Sequence, residues 1–130
     1  MKSYNQFIKE SKNSIESICK KYGITNYTIN SDGLIDVNGD VYLSNKKLTE
    51  LPLEFNNITG HFWCYTNDLV SLKGSPQSVS KDFYCSENKL TTLKGSPKYV
   101  GDAFNVYNNK LTSLEYSPEV VEGGFYVSGN

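Results

Sequence analysis

The sequence repeats itself every 21 residues, and this spacing constrains the fold more than any other feature. An aromatic residue, a small apolar residue, an asparagine and two leucines recur as Phe-x-Cys/Val-x-x-Asn-x-Leu-x-x-Leu. A constant period of this length is typical of a solenoid, in which each repeat packs only on its neighbours. The copies begin at Val41 (a looser copy), Phe62, Phe83, Phe104 and Phe125 (a partial copy that includes Val127).

The apolar positions of the repeat predict short parallel strands that stack in register. The first and third residues of each copy lie two apart, so they share one face of a strand and form two inward columns. The leucines then carry the chain round a corner into the core. An asparagine falls where the chain leaves each strand, and we expect its amide to bond to backbone groups of adjacent turns. These asparagines are Asn67, Asn88 and Asn109.

A Ser-Pro pair near the end of each copy predicts a short helical turn. Serine before proline suits a helix N-cap followed by the first helical position. A valine three residues after each proline would then face the core. The pairs are Ser75-Pro76, Ser96-Pro97 and Ser117-Pro118.

The repeat resembles the leucine-rich repeat family. Residues 83–90 read Phe-Tyr-Cys-Ser-Glu-Asn-Lys-Leu and match the family core Leu-x-Leu-x-x-Asn-x-Leu, with an aromatic residue and a cysteine in the first two leucine positions. The short period and the Ser-Pro stem are most similar to the bacterial effector type. The resemblance covers residues 40–130 and implies a binding scaffold. The first copy departs from it, because Lys46 takes the asparagine position and Phe55 takes the proline position.

We predict an α+β solenoid in which a helix and a hairpin cap about four and a half leucine-rich-type repeats. Residues 1–23 form an amphipathic helix with apolar residues at 3–4 spacing, a possible capping box at Ser3 and Gln6, and Gly23 after its end. Residues 24–39 form an entry hairpin around the turn 30–33. Residues 40–130 form the repeats.

The first eleven residues also resemble the head-targeting peptide of internal head proteins in large tailed phages. That pattern is Met-Lys-x-Tyr-x-x-Phe-Ile-x-Glu followed by a small residue, and Tyr4, Phe7, Ile8 and Glu10 fit it. The resemblance implies a phage-encoded protein in the host cytoplasm or the virion, with a cleavage site after Glu10. No secretory signal peptide is apparent. The alternative is that this helix only caps the stack.

Composition argues against several classes of partner. The net charge of −1 provides no strong attraction to nucleic acid or to an anionic membrane. All thirteen basic residues are lysines, so the bidentate guanidinium fork that suits phosphate and guanine is absent. No apolar run approaches the ~20 residues of a membrane span. We therefore expect neither a nucleic-acid ligand nor a membrane.

Residues that alternate with the core columns predict an outward aromatic face. Contiguous aromatic residues on a protein surface often mark a contact site. Aromatic residues also favour strands for structural reasons, so both a binding role and a purely structural role remain open. The predicted face contains Tyr42, Trp63, Tyr65, Tyr84, Tyr107 and Tyr126.

The partial last copy predicts an assembly edge. Phe125 and Val127 would lie on a strand with an unpaired edge, which invites pairing with another chain. A homo-oligomer formed through this edge is therefore one expectation, beside an unidentified protein partner.

For the residues whose side chains could bind a metal ion or act in catalysis, a structural role is the simpler interpretation. His61, Cys64 and Cys85 could form a zinc site, but both cysteines occupy an inward apolar column. Stacked strands would also bring the two thiols within reach of a disulfide. Asp40, Asp82 and Asp102 precede strands and could form an acidic ladder, with Asp102 one residue out of register. We expect no metal, no cofactor and no catalytic residue.

The sequence therefore predicts a non-enzymatic binding or scaffold protein. Three functional alternatives remain: recognition of a protein through the aromatic face or assembly through the edge, a structural role inside a phage head, and carbohydrate binding by the aromatic face.

Overall fold

The computed structural model describes all 130 residues, as one helix followed by eleven short strands. The helix, α1, spans Tyr4–Lys21. The strands are β1 (Tyr27–Ile29), β2 (Ile35–Val37), β3 (Val41–Tyr42), β4 (Phe55–Ile58), β5 (Phe62–Trp63), β6 (Ser78–Val79), β7 (Phe83–Tyr84), β8 (Tyr99–Val100), β9 (Phe104–Asn105), β10 (Val120–Val121) and β11 (Phe125–Tyr126).

The strands form a β-solenoid of about four turns with two sheets. The five-stranded sheet has the order β3-β5-β7-β9-β11, and the six-stranded sheet has the order β1-β2-β4-β6-β8-β10. All neighbours are parallel except β1 and β2, which form an antiparallel hairpin. The predicted solenoid and its 21-residue spacing are therefore present, but each turn contributes a strand to two sheets rather than one.

Backbone pairing between turns keeps the 21-residue register. In the five-stranded sheet Phe62 pairs with Phe83, which in turn pairs with Phe104. Pairing continues beyond the two-residue strands, because the Cys64 N–H donates to Tyr84 O at 2.7 Å and the Thr66 N–H donates to Ser86 O at 3.0 Å. Every position of the repeat therefore lies beside its own equivalent in the next turn.

This register gathers the apolar residues into one core. The rings of Phe62 and Phe83 stack with centroids 5.6 Å apart, and those of Phe83 and Phe104 stack at 5.4 Å. All three phenylalanines are fully buried, as are Leu69 and Leu72 at the corner. Stacking identical side chains gives each turn a matched apolar surface for the next one.

The helical turn predicted at each Ser-Pro pair is wrong. The chain makes a tight turn at Lys73 and Gly74 and then enters β6. Gly74 has φ +90°, and a Cβ there would lie 2.5 Å from Leu53 O, so glycine permits the close approach to the preceding turn. The Gln77 N–H donates to Asn56 O at 2.7 Å. These partners in the neighbouring turn replace the hydrogen bonds that a helix would make within the segment.

The irregular first copy is accommodated by Phe55. Its ring is buried and packs edge-on against Phe62, with centroids 5.1 Å apart. Here β4 is four residues long, and its register against β2 shifts by one residue between Ile35 and Val37. An aromatic residue in the proline position therefore begins the longer strand and adds to the core.

The helix α1 covers part of this core with its second half only. The expected capping box is formed by Ser3 and Gln6, and Gly23 follows the helix at φ +68°. Cys19 is fully buried, whereas Tyr4 and Phe7 on the same apolar side are 78% and 59% exposed. The apolar side of α1 thus extends beyond the surface that it covers.

A column of side-chain amides closes the corners of the five-stranded sheet. The Asn88 Nδ2 group donates to Cys64 O at 3.0 Å in the preceding turn and to Cys85 O at 3.3 Å in its own turn. Its Oδ1 accepts the Leu69 N–H at 3.0 Å. Asn67 and Asn109 make equivalent bonds.

Asn130 occupies the fourth place in this column. Its Oδ1 accepts the N–H groups of Asn109 and Leu111, and its Nδ2 donates to Val106 O and Val127 O. The sequence interpretation missed this residue, although adding 21 to 109 points to it. The last copy therefore includes the asparagine of the motif.

Replacing Asn88 by alanine is predicted to destabilise the solenoid strongly. Buried backbone groups left without a partner cost about 1–3 kcal/mol each, so we expect a loss of about 3–5 kcal/mol in the free energy of unfolding. Urea denaturation followed by circular dichroism measures this loss. Asn130→Ala is the matched control, because Asn130 makes the same bonds at an exposed position where water replaces them. Equal losses for the two variants would contradict the burial argument.

Replacing Thr66 by asparagine is predicted to stabilise the protein. Thr66 is exposed and has φ +54°, a conformation that a β-branched residue adopts at a cost. Asn45 and Asn108 occupy the same position in other turns with φ +58° and +51°. We expect a gain of about 1 kcal/mol, measured by urea denaturation. Thr91→Asn, at an exposed position without positive φ, should give no comparable gain.

Candidate binding face on the five-stranded sheet

Four of the six predicted face residues form a continuous aromatic cluster. Trp63 lies at its centre, with ring centroids 5.0 Å from Tyr42, 5.9 Å from Tyr84 and 6.0 Å from Tyr65. Tyr42, Trp63 and Tyr84 occupy the same position in consecutive strands, so the register places them side by side. We call Tyr42, Trp63, Tyr65 and Tyr84 the aromatic cluster.

The other two predicted face residues do not contact this cluster through their rings. Asn105 takes the outward position between Tyr84 and Tyr126, so the column of rings is interrupted there. Tyr107 and Tyr126 are both exposed. The predicted face is therefore one compact group at the front of the sheet and two separate tyrosines towards β11.

Ring orientation restricts what the cluster can contact. Trp63 and Tyr84 are nearly parallel, at an interplanar angle of 9°, and Tyr42 meets Trp63 at a tilted angle of 54° from the opposite neighbouring strand. The indole is therefore flanked by a tyrosine ring on each neighbouring strand. A ligand that approaches the sheet meets the indole together with these tyrosine side chains.

The indole N–H of Trp63 has no hydrogen-bond partner. Its Nε1 atom is shielded from solvent and meets no acceptor in the structure. An unsatisfied donor of this kind costs about 1–3 kcal/mol. The centre of the cluster is therefore held together by ring packing, in spite of one buried donor without a partner.

A polar column borders the cluster where the strands of the sheet begin. Asp40, His61 and Asp82 are spaced by 21 residues and occupy equivalent positions just before β3, β5 and β7. Asp40 Oδ1 accepts the His61 N–H at 2.7 Å, and Asp82 Oδ1 accepts the Ala103 N–H at 2.9 Å. The sequence interpretation noticed the aspartates but not that His61 lies between them in the same column. The two aspartates bind backbone groups of the next turn, which gives them a structural role at the corners.

Hydrogen bonding sets the charge state at this border. The His61 backbone N–H holds the pKa of Asp40 below its ordinary value, and a hydrogen bond from Tyr42 acts in the same direction. The same bond raises the pKa of Tyr42. Burial, followed by the charge of Asp82, raises the pKa of Tyr84. At neutral pH the cluster therefore presents the neutral phenols of Tyr42 and Tyr84 beside the ionised carboxylate of Asp40.

The two cysteines of the repeat lie directly beneath the cluster. Cys64 and Cys85 are fully buried free thiols with sulfur atoms 2.7 Å apart. Burial, followed by the proximity of Cys85, raises the pKa of Cys64 well above its ordinary value. No group of three or more His, Cys, Asp or Glu side chains is arranged to hold a metal ion. The structure thus places the thiols in the core and does not join them with His61 into a zinc site.

The remaining predicted site residues lie at the two ends of the molecule. Tyr4 and Phe7 are exposed, Ile8 is half-buried, and Glu10 accepts a hydrogen bond from Lys2 at 2.6 Å. At the other end Phe125 is 40% exposed and stacks on Phe104, while Val127 packs against the core. Targeting by the first segment and assembly through the second stay predictions.

Comparisons with known proteins do not assign the chain to a family. No family model matches it, and no curated protein or solved structure is significantly similar to it. Membership of the leucine-rich repeat family therefore stays a prediction. The structure contains no helix that combines the length and the apolar character needed to cross a membrane.

The thiols of the folded protein are predicted to be unreactive. Thiolates are the reactive species, and complete burial disfavours them and blocks access to reagents. Ellman's reagent should therefore label almost none of the three cysteines in native protein and all three after denaturation in urea. Rapid labelling of Cys64 or Cys85 without denaturant, located by mass spectrometry, would contradict the burial described here. A single reactive thiol in urea would show that this pair had been oxidised.

Proposed function

We propose that this protein is a non-enzymatic binding module that recognises a protein partner through the aromatic cluster. The observation that carries the proposal is the grouping of Trp63 with three tyrosines on one side of a rigid parallel sheet. Tryptophan and tyrosine are enriched among the residues that dominate the energy of protein interfaces. The solenoid supplies a firm support, because every strand of the face is paired on the sheet.

The orientation of the rings favours a protein over a carbohydrate as the ligand. A sugar that stacks on tryptophan needs an open indole face, and Tyr84 stacks on the indole of Trp63 while Tyr42 and His61 meet it at tilted angles. Aromatic rings and phenol hydroxyls suit the mixed apolar and polar contacts of a protein surface. A protein partner is therefore the better-supported ligand class.

The partner-binding role is tested by affinity capture from host cells, comparing wild-type protein with Trp63→Ser and Tyr84→Ser. We expect each variant to lose about tenfold or more in affinity for partners captured by the wild type, as is usual for central interface residues. Tyr116→Ser is the matched control, because Tyr116 is an exposed tyrosine outside the cluster. Circular dichroism and urea denaturation verify that each variant is folded. Unchanged capture by folded Trp63→Ser would show that the aromatic cluster has a structural role and does not bind the partner.

A phage internal head protein is the second candidate function. The observation in its favour is the exposure of Tyr4 and Phe7, which leaves the targeting-like side of α1 accessible instead of buried beneath the solenoid. Under this proposal the chain is phage-encoded and is packaged in the virion. Mass spectrometry of purified phage particles tests the idea, and the absence of peptides from this chain in particles made by an expressing phage would remove it.

A further inference from the structure

The five-stranded sheet has an open edge at β3, next to the aromatic cluster. No strand lies beyond β3, whereas the six-stranded sheet continues at the same end of the molecule from β2 into β1. An unpaired strand edge presents backbone groups that pair readily with another chain. The hairpin therefore covers one sheet and leaves the edge of the other free.

Three backbone carbonyls of this edge have no donor. One turn later, the carbonyls of His61, Trp63 and Tyr65 accept N–H groups from the preceding strand at 2.7–3.1 Å. The carbonyls at the equivalent positions of the β3 segment are those of Asp40, Tyr42 and Ser44. No backbone N–H of α1 or the hairpin donates to them. The alternation of a parallel ladder also turns the Tyr42 N–H away from β5, towards the same open side.

The β3 edge repeats the residues with which the β7 segment meets β5. Residues 40–48 read Asp-Val-Tyr-Leu-Ser-Asn-Lys-Lys-Leu, and residues 82–90 read Asp-Phe-Tyr-Cys-Ser-Glu-Asn-Lys-Leu. The three residues whose carbonyls face the preceding turn are the same in both segments, and Lys47 matches Lys89. The β3 segment thus offers a neighbouring strand what the β7 segment offers β5.

The pairing of β5 with β7 shows what kind of strand fits such an edge. Three N–H groups of the β5 segment donate to the β7 segment at 2.7–3.0 Å. These donors belong to Phe62, Cys64 and Thr66. The ring of Trp63 stacks on Tyr84 at 5.9 Å, and Asp68 Oδ1 lies 3.1 Å from Lys89 Nζ. A matching strand therefore has an outward aromatic residue and an acidic residue five positions later.

Two differences from β7 restrict the strand further. Val41 and Leu43 are fully buried although no strand precedes them, and Cys19 and Ile24 belong to the same buried cluster. The core is therefore already covered here, and the inward side chains of an added strand must be small. Lys46 replaces the asparagine whose amide bonds to the preceding strand in later turns. Without this amide the added strand is held by edge contacts alone, which suits a separate, reversibly bound segment.

We propose that the β3 edge binds an extended segment of the partner protein as an additional strand. The segment donates N–H groups to the three free carbonyls, sets a large aromatic or apolar side chain against Tyr42, and places an acidic residue beside Lys47. Lys47 is exposed and forms no ion pair in the protein. Pairing at a sheet edge supplies affinity through the backbone and specificity through alternate side chains. The proposal rests on the proposed function, because the added strand extends the aromatic cluster by one position.

A synthetic peptide tests the edge without the natural partner. Its sequence is that of residues 60–69 with Phe62→Ala and Cys64→Ala, which keeps the outward Trp63 and Asp68 and makes the inward residues small. Titration into isotope-labelled protein, followed by nuclear magnetic resonance, should show saturable binding with a Kd below about 1 mM. The same peptide methylated at its three donor nitrogens should bind at least about tenfold more weakly, because each lost bond contributes about 0.5–1.5 kcal/mol.

Hydrogen exchange locates the bound peptide on the protein. Saturating peptide should slow exchange of the Tyr42 N–H by about tenfold or more, because this group gains an acceptor. The Val41 N–H already donates to His61 O and is the internal reference. No saturable binding, equal binding of the methylated peptide, or unchanged exchange at Tyr42 would each overturn the proposal.

A charge exchange tests the register of the added strand. Lys47→Glu should weaken binding of the peptide about two- to fivefold, as expected for an exposed ion pair, and a peptide carrying Asp68→Lys should restore it. Lys110→Glu is the matched control, because Lys110 is exposed at the same position of a later turn, and it should bind like wild type. Equal weakening by Lys110→Glu would contradict the placement at β3.

The capture experiment separates this inference from the proposed function. Capture that needs Trp63 and is displaced by the peptide, but not by its methylated form, supports both. Capture that needs Trp63 and ignores saturating peptide would overturn the role of the edge and leave the proposed function standing. Capture that does not need Trp63 would remove the proposed function, and the peptide titration would still decide whether β3 accepts a strand. Light scattering that shows a dimer dissociated by the peptide would identify the occupant as a second copy of this chain and reject a separate partner.

Discussion

Every other feature of this solenoid depends on the register in which residue i lies beside residue i+21. Strands of two residues have no stability of their own, so their order comes from pairing with the same segment one turn away. The amides of Asn67, Asn88, Asn109 and Asn130 maintain this register where the strands end. Each amide bonds to backbone groups of two turns, so a slip by one residue would leave several buried polar groups unpaired.

Because of this register, residues at the same position of successive repeats form columns, both in the core and on the surface. Phenylalanine in the first position produces a stack of buried rings, and two cysteines in the third position produce a pair of adjacent thiols. On the outer face the same rule sets Trp63 against Tyr42 and Tyr84. The proposed binding face is therefore a direct product of the packing rule that stabilises the core, and its rings lose freedom because the neighbouring turns hold them.

At the border of the face, one column of equivalent positions contains a histidine between two aspartates. Asp40 and Asp82 each accept a hydrogen bond from a backbone N–H of the following turn. This bond stabilises the corner between two turns and does not depend on the rest of the motif. Histidine at the intermediate position keeps its own backbone bond to Asp40 and places an ionisable ring against Asp82 and Trp63. A structural column thereby places the only imidazole of the chain beside the largest aromatic ring of the surface.

The amino-acid sequence by itself determined the period, the inward columns and the positions that share a face, because a constant spacing makes each residue the neighbour of its equivalent. The same 21-residue spacing also places Asn130 in the asparagine column and His61 in the column of Asp40 and Asp82. Only the tertiary structure decided that residues after each Ser-Pro pair form a second sheet, since their backbone partners lie in the adjacent turn, 21 residues away. It also decided that Tyr84 stacks on Trp63 and that Tyr107 stands apart from the cluster, because ring orientation depends on side-chain packing between strands and not on spacing.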